Sequence, residues 1–381
     1  MSTDVTRRDF LKCSLAAGGC LFAGSSLLSA LAQTDDEEKK FIAPARYFEK
    51  LDAKRIQCNL CPRECSVGDL ERGACGVREN RDGDYLTLVH SRACSANVDP
   101  IEKKPLFHYL PGTLAFSIAT AGCNIECRFC QNWQISQFRP EQVRSFYLPP
   151  AAVTQAAASH NCPTIAYTYT EPVIFYEYMY DTAAHARAKK VGSVMISNGY
   201  IKPQPMKDLC SQLTGVKVDL KAFTDDFYVK YCSGHLKPVL DVLVLLREIG
   251  MWTEIVVLLI PGLNDSPKEI TEMSKWIVKN LGGDVPVHFT RFHASYKMKN
   301  LPDTPHETVE RARQIAMGEG INFVYTGNVR PGHPGEQTYC PACNELLIKR
   351  FSYHVLENRI QSGKCPKCGA QIPGIWVNPL A

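Results

Sequence analysis

TAGCNIECRFCQNW, residues 120–133, carries three cysteines, Cys123, Cys127 and Cys130, at spacings of four and three. Zinc ions and iron–sulfur clusters usually take four protein ligands. Elsewhere this chain supplies cysteines in complete fours, so a set of three is a distinct signal. Thiolates are the usual protein ligands of iron–sulfur clusters. A [4Fe–4S] cube held by three of them keeps one iron with an open position, the feature that separates a catalytic metal from a structural one.

A bidentate amino-carboxylate, such as the methionine end of S-adenosylmethionine, would fill that position. Electron transfer to its sulfonium would break a C–S bond and release a 5′-deoxyadenosyl radical. The cofactor carries such chemistry, and the protein positions it and excludes water. Taken alone, the motif also fits a zinc knuckle that borrows a fourth ligand, or a loop without metal.

Two complete sets flank the loop. Cys58, Cys61, Cys65 and Cys75 form C-x2-C-x3-C-x9-C. With every position filled, this set suits a structural metal such as zinc or an auxiliary electron-transfer cluster; disulfides formed after export are a third reading. Cys340, Cys343, Cys365 and Cys368 form C-x2-C-x21-C-x2-C, the pattern of a zinc ribbon. Cys94, Cys162, Cys210 and Cys232 are scattered and read as small buried apolar residues.

These groups need a frame. The 381 residues suffice for one large domain plus small attachments, and a net charge of +4 with both signs interspersed makes no case for nucleic acid. From about residue 112 to 327, β-rich runs alternate with helical ones. The strands fall at 114–119, 164–169, 193–197, 216–220, 254–260, 287–292 and, less clearly, 323–326. The helical patterns fall at 151–159, 173–190, 205–213, 237–249, 267–281 and 305–318. Ser266-Pro267 and Thr304-Pro305 read as N-caps followed by first-turn prolines. Such alternation implies parallel βαβ units. The cysteine loop, Glu171, Asn198, Lys221, Pro261-Gly262 and His293 each follow the end of one strand. In a parallel barrel that rim holds the chemistry, so the expected frame is a full or partial (βα) barrel.

The first residues read as an address. Arg7-Arg8 with Phe10-Leu11-Lys12 precede an uncharged run to Leu31 and an Ala30-Leu31-Ala32 site, the pattern of a twin-arginine signal peptide. An uncleaved membrane anchor or a lipoprotein are the other readings. The expected organisation is signal peptide 1–32, linker 33–50, four-cysteine module 51–105, barrel 106–330 and zinc ribbon 331–381. Localisation is expected to be periplasmic, with cytoplasmic catalysis if chemistry precedes export. Membrane contact is expected through the signal segment alone.

CxxxCxxC with Phe129 before its last cysteine, placed after the first strand of a βα series, resembles the radical SAM superfamily. GCNIECRFCQNWQIS resembles the branch related to pyruvate formate-lyase activating enzyme. VDPIEKKPLFHYLPG (98–112) and CNLCPRECSVGDLERGACGVREN (58–80) are similar to the radical SAM member of the AmmeMemoRadiSam system. The resemblance implies a partial (βα)6 TIM-like barrel, with a [4Fe–4S] cluster on Cys123, Cys127 and Cys130 and Phe129 near the adenine. It implies that Glu171 meets the SAM amino group, in a Gly-Gly-Glu-Pro motif whose glycines are here Tyr169 and Thr170. Asn198, Asp219, Lys221 and His293 match positions touching the SAM ribose or carboxylate, and Gly262 a turn beside the adenine.

The implied function is reductive cleavage of SAM and hydrogen abstraction from a substrate. An electron donor such as flavodoxin or ferredoxin and AmmeMemoRadiSam proteins are the implied partners. The alternatives are activation of a glycyl-radical enzyme and a non-catalytic iron–sulfur or zinc metalloprotein of the envelope.

Overall fold

Seven of the apolar runs form one parallel sheet in the computed structural model, which describes residues 38–381. Residues 1–37, with the stretch expected as a signal peptide, lie outside the described residues. The strands are β1 (Ser95–Pro100), β2 (Leu114–Ala119), β3 (Thr164–Tyr167), β4 (Gly192–Ser197), β5 (Gly215–Asp219), β6 (Thr253–Leu259), β7 (Val287–Arg291) and β8 (Val324–Gly327). They lie side by side in chain order. β2 to β8 are parallel, and β1 runs antiparallel to β2, with Ser95 opposite Ala119 and Pro100 opposite Leu114. No described pairing joins β1 to β8, so the barrel stays open along one side.

Why the strands take the centre follows from their composition. Ile165, Ala166, Tyr167, Val216, Val218, Ile255, Val287 and Phe289 are all buried, the near-continuous apolar pattern of strands covered on both faces. Six helices follow the strands: α1 (Pro150–Ser159), α2 (Tyr176–Ala188), α3 (Pro203–Cys210), α4 (Leu236–Glu248), α5 (Pro267–Leu281) and α6 (His306–Gly318). α4 buries Val239, Val242, Leu243 and Leu246 at three- and four-residue spacing, one apolar stripe. Ser266 caps α5 by accepting the Glu269 N–H at 3.2 Å. Thr304 does not cap α6: its hydroxyl bonds Leu259 O at 2.6 Å and accepts the Phe292 N–H at 3.1 Å.

The stretch 98–112 closes the barrel at the N-terminal ends of its strands. Glu254, near the start of β6, accepts the N–H groups of Phe107 at 2.9 Å and His108 at 2.8 Å and the His288 ring at 2.8 Å. Tyr109 lies across the starts of β4 and β5; a Cβ at Gly192 would meet its hydroxyl at 2.6 Å, so only glycine fits there.

Two small modules complete the chain. Phe48–Lys50, Ile56–Cys58 and Ser66–Val67 form one antiparallel sheet, and Ala43–Pro44, Asp84–Thr87 and Arg78–Arg81 another. Residues 43–50, expected as linker, are thus part of the four-cysteine module, because their backbone groups pair into its sheets. The C-terminal ribbon pairs Thr338–Tyr339, Leu346–Phe351 and His354–Asn358 and buries Leu347, Ile348 and Ile372 with Phe107, Phe323 and Tyr325. Among the described residues, no helix is long and apolar enough to cross a membrane.

Candidate active site

The cysteine loop starts where β2 ends, and close packing determines its path. Gly122 adopts φ +105°, and a Cβ there would stand 2.8 Å from Val77 Cγ1 and 3.0 Å from Cys75 O. The loop is then tied on three sides. Glu126 and Arg128 donate their N–H groups to Cys232 O at 2.8 Å and Tyr231 O at 2.9 Å. Asn124 donates to Tyr200 O at 2.6 Å, and Arg63 Nε donates to Asn124 O at 2.8 Å.

Cys123, Cys127 and Cys130 all line a cavity of about 570 Å³ within the barrel, a volume suited to a small-molecule cofactor. Phe129, Glu171, Asn198, Asp219 and Lys221 line it too. Seven of these eight residues belong to the rim that strand order assigned to chemistry, and Phe129 packs 5.8 Å from Phe227, ring to ring. Gly262 and His293 do not join them. Gly262 sits in a turn closed by Asp265, at 2.8 Å. His293 is half exposed and pairs with Asp303 at 2.7 Å. Both follow their strands as expected, but the loops after β6 and β7 carry them off the cavity wall.

The electrostatics divide the wall into two parts. Glu171 is 3% exposed. Its Oε1 accepts from Val173 N at 3.0 Å and Ser197 Oγ at 2.7 Å, and its Oε2 from Asn198 N at 2.7 Å. Burial outweighs these donors and raises its pKa to about 7. Asp219 lies between Lys217 and Lys221, the latter at 3.0 Å. Burial would raise its pKa, but the two ammonium groups prevail and hold it at about 2.

The sulfurs show the same mixture. Burial raises the Cys123 and Cys130 thiols. Cys127 is lowered, first by a hydrogen bond from the Cys232 thiol and then, against burial, by the Lys221 ammonium. Ser136 Oγ lies 3.2 Å from Cys130 Sγ and Asn198 Nδ2 lies 3.8 Å from Cys123 Sγ.

The donor set fits an iron–sulfur cube better than zinc. Tetrahedral Zn–S bonds of about 2.3 Å place sulfurs roughly 3.8 Å apart. Among the described residues, Cys340, Cys343, Cys365 and Cys368 are the group whose ligand atoms all lie within 4.8 Å of one another, with Sγ pairs at 3.6 and 3.7 Å. The loop thiols share a cavity but not that tight spacing, as expected when each takes a different iron.

Four residues bear on the site beyond any role the sequence reading gave them. Lys217 precedes Asp219 by two, and strand alternation places both on one face; that signal was available. Cys232, read as a filler, touches Cys127. Lys104, in the quoted EKKPLFH stretch, is buried, bonds Asp99 at 2.6 Å and lines the cavity; burial lowers its pKa to about 8 although Asp99 opposes this. Tyr169 takes φ +66° despite its Cβ, a backbone state costing roughly 1 kcal/mol or more. Its hydroxyl bonds Asp99, Lys104 Nζ lies 4.4 Å from its ring centre, and Asn132 donates to its carbonyl at 2.7 Å. These contacts hold the turn that glycines would otherwise make easily.

Comparison with known proteins adds four findings. The profile of the radical SAM superfamily matches residues 117–274. The uncharacterized protein MJ0808 of Methanocaldococcus jannaschii is 42% identical over 330 residues, spanning 86% of this chain and 98% of that protein. Among solved structures, a domain of pyruvate-formate lyase-activating enzyme from Bacteroides vulgatus aligns with 43% of this chain and 98% of its own, at 14% identity and TM-score 0.39. Streptococcus suis SuiB bound to S-adenosylmethionine aligns with 64% of this chain and 56% of its own, at 11% identity and TM-score 0.45.

Proposed function

The chain belongs to the radical SAM superfamily, and from that premise we propose that its cavity binds S-adenosylmethionine against a [4Fe–4S] cluster on Cys123, Cys127 and Cys130 and directs hydrogen abstraction from a substrate. The cluster and SAM together supply a 5′-deoxyadenosyl radical. The observation that carries the reading is the convergence of three thiols, Glu171, Asn198, Asp219 and Lys221 on one cavity.

The residues divide the work by charge. Glu171, with both oxygens anchored, presents a fixed acceptor for an ammonium group. Against burial, Asp219 and Cys127 raise the Lys221 pKa, which favours an ammonium placed to offset thiolate charge and to meet a carboxylate. Asn198 braces the cysteine loop. The floor built from 98–112 and the Ser352-Tyr353 turn of the ribbon, which also lines the cavity, keep bulk water from the reacting groups.

We assign the ribbon cysteines to one zinc. Reductant would come from a flavodoxin or ferredoxin. The 58–80 and 98–112 motifs favour a substrate handled with AmmeMemoRadiSam partner proteins over a glycyl-radical enzyme. The twin-arginine pattern supports a periplasmic location for the mature protein.

Anaerobic reconstitution with iron, sulfide, SAM and dithionite tests the core of this. The wild type should release 5′-deoxyadenosine, and Cys127→Ala should stay folded and release none. Equal yields from the two proteins would refute the assignment.

A further inference from the structure

The Cys58, Cys61, Cys65 and Cys75 thiols come together at the seam between the N-terminal module and the barrel. Cys58, Cys65 and Cys75 all act electrostatically on Cys61. Yet no three of these sulfurs meet the 4.8 Å spacing that the ribbon cysteines achieve. A single zinc would draw four thiolates as close as the ribbon does. Four thiolates each on a separate iron stand further apart.

Their surroundings favour a bulky anion. Two buried donors stand there: Arg78 Nε, which has no hydrogen-bond partner, and the Tyr85 hydroxyl, which faces the Cys58 thiol, in residues 1% and 2% exposed. Cys58 and Cys75 act electrostatically on both. A Cβ at Gly73 would lie 3.3 Å from the Tyr85 hydroxyl and 3.6 Å from Cys65 Sγ, so hydroxyl and sulfur border the same space. Backbone amides also point at the sulfurs: Ala74 N lies 3.4 Å from Cys65 Sγ, and those of Arg63 and Val77 bond Cys61 and Cys75. A buried donor left unpaired is costly, and inorganic sulfide or thiolate would satisfy Arg78 Nε.

We propose that Cys58, Cys61, Cys65 and Cys75 hold a second [4Fe–4S] cluster that relays electrons to the cysteine loop. The relay follows from position. Cys75 O and Val77 press on Gly122, the residue before Cys123, and Arg63 grips Asn124 O. Cys65 is partly exposed, and its contact with the Ala74 N–H lies at the surface, so the site reaches both solvent and loop. A reduced low-potential carrier of the flavodoxin or ferredoxin class loses one electron, this cluster takes it, and the loop cluster receives it. No bond forms or breaks at the relay. The relay rests on the radical SAM reading; the cluster's identity does not.

The experiment separates the two. A Cys123→Ala/Cys127→Ala/Cys130→Ala variant, reconstituted anaerobically, should retain about four iron and four sulfide per chain, about one zinc, and a half-integer-spin EPR signal on reduction. Wild type should carry about twice that iron. Wild type with about four iron and about two zinc per chain would overturn the cluster assignment, independently of how any variant folds. For the relay, Cys65→Ser/Cys75→Ser should lower flavodoxin-driven SAM cleavage at least tenfold while dithionite-driven cleavage persists. Equal loss with both reductants, or no loss with either, would overturn it.

Discussion

Asn198 and Asn124 lock the end of β4 to the cysteine loop: Asn198 Nδ2 donates to Asn124 Oδ1 at 2.9 Å, and both residues bond the backbone of Tyr200. Strand and loop lie 74 residues apart in the chain, so this pair converts the barrel's rigidity into a fixed position for Cys123.

Asn198→Ala should therefore damage the metal site before it damages the fold. It leaves Asn124 Oδ1 and the Tyr200 N–H unpaired in a buried setting, at roughly 1–3 kcal/mol. Iron bound per chain after desalting should fall, and 5′-deoxyadenosine release should fall with it. Full iron retention at the wild-type rate would show the pair to be dispensable.

Glu171→Gln tests whether the carboxylate meets a ligand or only stitches β3 to β4. Glutamine offers one acceptor oxygen where the backbone presents donors to both, so its NH2 must face an N–H in either orientation. Stability should fall by about 1–3 kcal/mol. SAM affinity, measured by equilibrium dialysis on folded protein, should weaken at least tenfold. Lower stability with unchanged affinity would leave Glu171 a structural residue.

The frame and the cysteine loop were legible because each follows from a local regularity. β2 and α5 have the bounds their apolar runs suggest, and the rim residues follow strand ends by counting. What was not legible depends on long-range packing. Strand β1 has an unremarkable pattern, SANVDP, and owes its state to pairing with β2. Gly262 and His293 follow their strands, but only the fold shows that their loops leave the cavity. Cys232 looks like any buried cysteine until the segment around it pairs with the loop at Glu126 and Arg128. Tyr169 stands where the family's glycine pattern was missing, and contacts from Asp99, Lys104 and Asn132 substitute for glycine's freedom.

Arg350 joins ribbon to floor, and its loss should show a pH signature. The side chain is fully buried, bonds Phe107 O at 2.8 Å and stands 3.9 Å from the equally buried Glu102. Burial raises the Glu102 pKa above its ordinary 4.5, with Arg350 restraining the rise. A carboxyl raised in the folded state contributes stability that is present below its unfolded pKa and lost as pH climbs through the folded one. Arg350→Ala raises that folded pKa further and strands a buried charge, costing about 3–5 kcal/mol near neutrality. Thermal unfolding should show a larger Tm deficit at pH 8 than at pH 5. An equal deficit at both would mean that packing, not charge, is lost.

The proposed export signal poses the last question, since SAM and strong reductants belong to the cytoplasm while a twin-arginine route would carry the protein outward. A twin-arginine route carries folded proteins, which suits a chain that acquires its clusters before crossing. Two lysines would copy the charge of Arg7-Arg8 but not the planar hydrogen-bonding fork of guanidinium. Arg7-Arg8→Lys-Lys should therefore retain the protein in the cytoplasm with its iron intact. Wild type should fractionate to the periplasm, with a mature N-terminus at Gln33. Soluble cytoplasmic wild-type protein still beginning near Ser2 would overturn the export reading and leave the radical chemistry in the compartment that supplies its cofactor.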